Sequence, residues 1–142
     1  MPENEFSADI SRFVAKVTTN TDKFMFALCQ DIGEAVVLNT PVDIGHLRRS
    51  WTAQIGSPDL DWQAGEPRPS VAVSNPSGDA MSRIITKILG VKGGDVVYYN
   101  NNVHYGPYVE FGTQHQQAQH FVQDAVSKID SIAENVASKF KV

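Results

Sequence analysis

The sequence predicts an α+β fold: a small, mostly antiparallel sheet packed against long N- and C-terminal helices, with a short helix inserted between strands. Three observations lead there. Apolar residues recur at steps of three and four near both ends of the chain, and they alternate every second residue in short central runs. Several connections between those runs are too short for parallel crossovers.

Ile10, Phe13, Val14 and Val17, followed by Phe24, Leu28, Ile32 and Ala35, share one helical face and predict a long first helix. Ser7 is its expected N-cap, and Thr18-Thr19-Asn20-Thr21 is a weak stretch where a kink is expected. Ala35 to Leu38 is apolar all round, so the helix end should be buried more completely than its start. Pro41 stops the helix, and Asp43 to Gly45 supply turn chemistry. Trp51, Ala53 and Ile55 then alternate with Ser50, Thr52 and Gln54, as in a strand with one face in the core.

Gly56-Ser57-Pro58 ends that strand, and Asp59 to Pro69 reads as an exposed, mobile loop. Val71 to Val73 predicts a second short strand, stopped by Asn75-Pro76-Ser77-Gly78. Met81, Ile84, Ile85, Ile88 and Leu89 place an amphipathic helix over Asp79 to Leu89, closed by Gly90. After a turn at Gly93-Gly94-Asp95, Val96 to Asn100 is rich in Val and Tyr and predicts a strand buried on both faces. Val103 to Thr113, with its Tyr, Gly and Pro residues, reads as a shaped loop. Val122, Val126, Ile129, Ala133, Val136 and Phe140 step by four and three, predicting one helix to the end of the chain. There is no internal repeat or low-complexity tract.

A length of 142 residues with 42% hydrophobic content suits one domain, residues 1–142. No stretch approaches the roughly 20 apolar residues that cross a bilayer, and the first residues are acidic where a secretory signal is positive. The expectation is a soluble chain made in the cytoplasm. Cys29, the single cysteine, falls in an apolar helical run and is expected to pack as a small hydrophobe. The net charge of -4 and pI near 5.5 argue against tight binding to nucleic-acid phosphates; an acidic surface suits equally a passage through which DNA slides and ordinary solubility.

Catalytic readings are weak. Asp43, His46 and Ser50 are triad residue types, but they fall within one turn and a strand start, whereas triads gather distant segments. The expectation is that Asp43 bonds turn amides and His46 is exposed. His115 and His120 are five apart, so they do not share a helix face as metal ligands; Glu110 could approach either one, but no Cys or carboxylate cluster completes a site. Gly90-Val91-Lys92-Gly93-Gly94 lacks the Gly-Lys-Ser/Thr ending of a phosphate loop and reads as a turn. No enzyme activity, metal or cofactor is expected.

Several separated segments resemble one family in its order. Thr40-Pro41-Val42-Asp43-Ile44-Gly45-His46-Leu47-Arg48-Arg49-Ser50-Trp51 is similar to its helix-to-strand corner, with Ile44 where a small polar residue is usual. Gly94 to Asn102 resembles its last strand and Asn-rich exit, and Val103 to Thr113 its Tyr-centred loop. The Asp79 to Leu89 helix also has counterparts. The family is the neck or tail-completion proteins of long-tailed bacteriophages, tail components of head-tail joining. Gln114 to His120 departs from it, being uncharged apart from histidines where members carry a basic, Pro-containing segment.

The resemblance implies a virion protein made in the host cytoplasm, a subunit of a ring expected to be six-fold. Its implied partners are the head connector or stopper and the tail terminator or tail tube, with DNA passing non-specifically through the ring. The nearest alternative is the tail-terminator ring itself, and a distant one a small metal-dependent hydrolase. Candidate interface residues are Arg48, Arg49, Trp51, Tyr105, Tyr108, Glu110 and Phe111. Arg48 and Arg49 are read first as partners of carboxylates across a subunit boundary, then as a solvated strand edge, then as phosphate contacts. Tyr105, Tyr108 and Phe111 suit equally a cover for the sheet edge and interface anchors.

Overall fold

The computed structural model describes residues 2–42, 45–63, 65, 71–103, 105–114 and 117–140, with side chains from Ser7 onward. The architecture is α+β. In order, the elements are α1 (Pro2–Asn39), α2 (His46–Arg49), β1 (Trp51–Ile55), α3 (Pro76–Ile88), β2 (Val97–Asn101), α4 (Gly106–Phe111), α5 (Phe121–Val126) and α6 (Ile129–Ala137). Asp43, Ile44, His104, His115 and most of the stretch from residue 64 to Pro69 lie outside the described residues.

The first helix is longer and more regular than its sequence suggested. It begins at Pro2, so Ser7 lies inside it and is not the cap. Thr18 to Thr21 does not break it, because the Thr21 hydroxyl donates to the Val17 carbonyl one turn back, at 2.8 Å, and leaves the ladder intact. Burial rises along the helix as expected: Ile10, Phe13 and Val14 are exposed, whereas Cys29, Val36 and Val37 are in the core. Leu38 is the exception, half exposed at the last turn.

β1 and β2 pair antiparallel, with Trp51 opposite Asn101, Ala53 opposite Tyr99 and Ile55 opposite Val97. One face of this ribbon looks toward α1, where the Tyr99 hydroxyl donates to the Cys29 carbonyl at 2.6 Å. Gly33 permits that approach, since a Cβ there would meet Ile84 Cγ2 at 3.0 Å and Tyr99 Cε1 at 3.4 Å. A two-stranded ribbon is marginal by itself, so its stability comes from this packing. α3 lies beside β1 and sends Ala80, Ile84 and Ile88, all fully buried, into the same core.

Several elements differ from expectation. Thr52 and Ser50 are fully buried, so β1 is covered on both faces where alternation implied one. The strand expected over Val96 to Asn100, buried on both faces, begins one residue later as β2 and is partly open at Tyr98, with Val96 exposed just before it. Residues 71–73 join no ladder, and Asn75-Pro76 opens a helix where a strand stop was read: the Asn75 side chain accepts from the Gly78 amide, and Pro76 occupies the first turn, where its missing N–H costs nothing. Leu89, counted in the buried stripe of α3, is exposed past its end.

The two remaining departures are at the C-terminal side. The Tyr-rich loop contains α4, and the single C-terminal helix is two short ones broken at Ser127-Lys128. That break shifts the buried face: in α5 Phe121 and Ala125 point inward while Val122 and Val126 are exposed, and only α6 keeps the predicted stripe, with Val136 buried. α5 and α6 pack on α1, running back along it from the Lys128 ammonium on Asn39 Oδ1 to an edge-on contact of Phe140 with Phe24.

Ile84, at 0% exposure between α1 and the ribbon, has no room to relax. Ile84→Ala is expected to cost about 2–5 kcal/mol in urea unfolding, with an unchanged slope against denaturant.

Candidate functional site

The helix-to-strand corner is built on Thr40. The last turn of α1 holds no basic residue, and four carbonyls at a helix end lack intrahelical donors. Arg48, brought back by the corner, supplies one of them and the carbonyl just past the helix. Its Nε and Nη2 donate to the Thr40 carbonyl at 3.1 and 2.8 Å, Nη2 also to the Leu38 carbonyl at 3.2 Å, and Nη1 to Ser77 Oγ at 3.3 Å. Thr40 Oγ1 donates to the Val36 carbonyl and accepts from Trp51 Nε1 at 2.7 Å. Gly45, at a φ of 90°, makes the reversal that precedes α2. The four-residue α2 between turn and strand was not foreseen, since it has no apolar period of its own.

Trp51, an interface candidate on sequence, is 5% exposed and packs edge-on against Phe121. Arg48 and Arg49 are half-buried. Arg49 Nη2 lies 3.1 Å from His46 Nδ1, and its carbonyl accepts from Arg83. His46, expected to be exposed, is 2% exposed, with its ring tilted against Tyr105. Ser50 Oγ donates to the His46 carbonyl. The His46 and Ser50 side chains are thus set by packing and local backbone bonds.

A polar network missed in the sequence covers the outer face of the ribbon. Asp59, assigned to an exposed loop, is 4% exposed. It accepts from Thr52 Oγ1 at 3.0 Å and pairs with the Lys87 ammonium at 3.2 Å. Asn100 receives the Asp59 amide on Oδ1 and donates back to its carbonyl, while Asn102 donates to the carbonyls of Asp59 and Trp62. Arg83 donates to the carbonyls of Arg49 and Trp51 at the open edge of β1 and lies 3.8 Å from the Trp62 ring centroid. The sequence signal was the Asn100-Asn101-Asn102 run, whose side chains fasten the chain on either side.

Burial alone raises the Asp59 carboxyl, but the Thr52 hydrogen bond, Lys87 and the Trp62 amide together outweigh it and hold the group below its ordinary value. On the inner face, burial pushes the Tyr99 phenol above the ordinary tyrosine range and raises the Cys29 thiol. Both stay neutral near pH 7, so Cys29 behaves as the small hydrophobe expected of it.

α4 presents the aromatic candidates. Tyr105 is half-buried at its start, whereas Tyr108 and Phe111 are 57% and 74% exposed on its free side. Glu110, between them, points inward at 6% exposure, and its two carboxylate oxygens accept from the amides of Val122 and Gln123 in the first turn of α5. The amides of Gln119 and His120 return to the Val109 and Glu110 carbonyls, which ties α4 to α5 and holds His120 at a φ of 51°. His120 is exposed; among the described residues no group of three or more His, Cys, Asp or Glu is placed to hold a metal ion. Between α4, α5 and β2 lies a cleft of about 290 Å³ walled by Trp51, Tyr99, Phe111, Phe121 and Val122.

No protein-family model, curated protein or solved structure matches this chain. Its function is therefore argued from these surfaces. Among the described residues, no helix is long and apolar enough to cross a membrane. The corner arginines, Trp51 and Glu110 are engaged inside the protomer; Tyr108 and Phe111 are the interface candidates that project.

Two outcomes test the corner and the network. Arg48→Ala should lower stability by about 1–3 kcal/mol, and Arg48→Lys should recover only part of it, because an ammonium cannot span acceptors that the planar guanidinium bridges; equal stability of all three chains in urea refutes the role. Because the folded Asp59 carboxyl is depressed, its contribution is present above the unfolded value of about 4 and is lost as pH falls through the folded value. Melting temperature should fall on acidification, and less steeply in Asp59→Asn.

Proposed function

We propose that this chain is a structural subunit of a long-tailed phage neck, a tail-completion protein whose copies form a ring joining tail to head around a DNA passage. The observation that carries it is the exposure of Tyr108 and Phe111 on α4, in the segment that resembles the family's Tyr-centred loop. Two large aromatic side chains left in water on a helix tied by backbone bonds to the start of α5 are typical of assembly anchors, which give wide contact at low entropic cost.

Two further features support the reading. The corner resembling the family's own is an internally braced joint, as a subunit under load at a ring position requires. An acidic chain also lets DNA slide through a channel without sticking. The ring would be closed by contacts of unlike surfaces, repeated around an axis.

Phage lacking the gene should accumulate filled heads and separate, complete tails that join when the purified protein is added. Normal joined particles without the gene refute the neck role, and binding of the protein to isolated tail tubes without any head connector would favour the tail-terminator position.

A further inference from the structure

Residues 57–62 lie over the outer face of the ribbon without entering the core. Leu60 is 69% exposed, and none of the six belongs to the buried apolar cluster. What holds them is polar and converges on Asp59. Its carboxylate accepts from Thr52 Oγ1 and pairs with Lys87 Nζ, while its amide and carbonyl are both bonded to the Asn100 side chain. Further on, the Trp62 carbonyl accepts from Asn102, its indole donates to the Ser50 carbonyl at 3.2 Å, and its ring covers Arg83. A segment with no share in the apolar core can leave while that core stays packed.

We propose that residues 57–62 form a latched strap, which lifts off the ribbon as a unit when the ion pair between Asp59 and Lys87 is broken, while the helices and the ribbon stay folded. This holds whether or not the chain is a neck subunit.

The pivot is Gly56. Its amide donates to the Val96 carbonyl at 2.7 Å, the last bond before the chain leaves the ladder. Its φ is 90°, and among the described residues no atom lies within 4 Å of where a Cβ would stand, so the chain beyond it has room to swing.

The latch has one dry member and one wet one. The Asp59 side chain is 5% exposed and that of Lys87 43%. Lys87 also lines an open groove of about 390 Å³ with Asp79, Ser82, Arg83 and Thr86, through which water and dissolved anions reach the ammonium. The charges that face Asp59 come from α3 alone, Lys87 in contact and Arg83 one turn before it, with Asp79 and Arg49 acting on Arg83 in turn; β1 and β2 offer the uncharged Thr52 and Asn100. Because the Asp59 carboxyl is held below its ordinary value of about 4, the pair is intact above that pH and is lost as pH falls through the folded value. Salt acts on the same pair by screening. Release takes the Trp62 ring off Arg83, leaves that guanidinium alone over the Arg49 and Trp51 carbonyls, and opens Thr52 to water.

Acrylamide quenching of tryptophan fluorescence in the full chain tests the strap. Trp51, 5% exposed, is shielded from the quencher, so the quenched signal reports Trp62. Asp59→Asn keeps an acceptor for Thr52 and removes only the charge; Lys87→Gln removes the other charge at an exposed site. Each should raise the open population on the order of tenfold, with unchanged far-UV circular dichroism, and Lys87→Arg should restore the closed form. In the wild type, acid and about 1 M sodium chloride, where the screening length is about 3 Å, should raise quenching before any helix is lost; in both charge-removing variants the salt response should be flat. Equal quenching in wild type and both of those variants, a salt response that survives in them, or exposure of Trp62 only together with loss of the circular dichroism signal overturns the strap.

Discussion

The joint between α1 and β1 carries the rest of the molecule, because a helix of 38 residues ends there and its final carbonyls need donors from elsewhere. Arg48 and Thr40 meet that need. The guanidinium spans the Leu38 and Thr40 carbonyls, and the Trp51 indole donates to the same threonine. The reversal thereby fixes where β1 starts, and β1 in turn fixes α3 through Arg83 and β2 through the ladder. Loss of the bidentate contact would leave carbonyls without donors in a half-buried place, which costs more than the bonds themselves contribute.

The polar residues divide into two groups by what surrounds them. Asp59, Asn100, Asn102 and Arg83 lie over the outer face of the ribbon, where each hydrogen bond holds a loop segment against a strand. Glu110 performs the same service between α4 and α5. On α4 and α5 the hydrophobes Tyr108, Phe111, Val122 and Val126 remain open to solvent, beside the polar Gln123 and Asp124.

Legibility in the sequence followed the strength of local periodicity. α1, β1 and α3 were readable because their apolar residues repeat over enough positions to outweigh other signals, and Gly56 and Gly90 mark their ends. The small pieces were not. α2 has four residues and α4 six, too few for a period, and Asn75-Pro76 has the same composition whether it stops a strand or caps a helix. The regular steps from Val122 to Phe140 concealed the break at Ser127-Lys128, which turns the buried face of α5 by one residue. For the candidate site, Tyr108 and Phe111 were found by residue type, and Trp51 lies on the core face that its alternation implied, but burial of His46 and Glu110 was invisible because it depends on partners distant in the chain.

By itself the sequence determined the α+β class, the long first helix, the antiparallel character of the ribbon and the position of its corner. Those follow from periodicity and from Pro41 and Gly45, whose backbone restrictions act wherever they stand. Only the tertiary structure decided which polar side chains are consumed in holding the fold and which hydrophobes are left over. Burial is a property of three-dimensional neighbours: Asp59 is enclosed because Asn100 and Asn102 pull its loop inward, and Phe111 is 74% exposed because no described residue covers its ring.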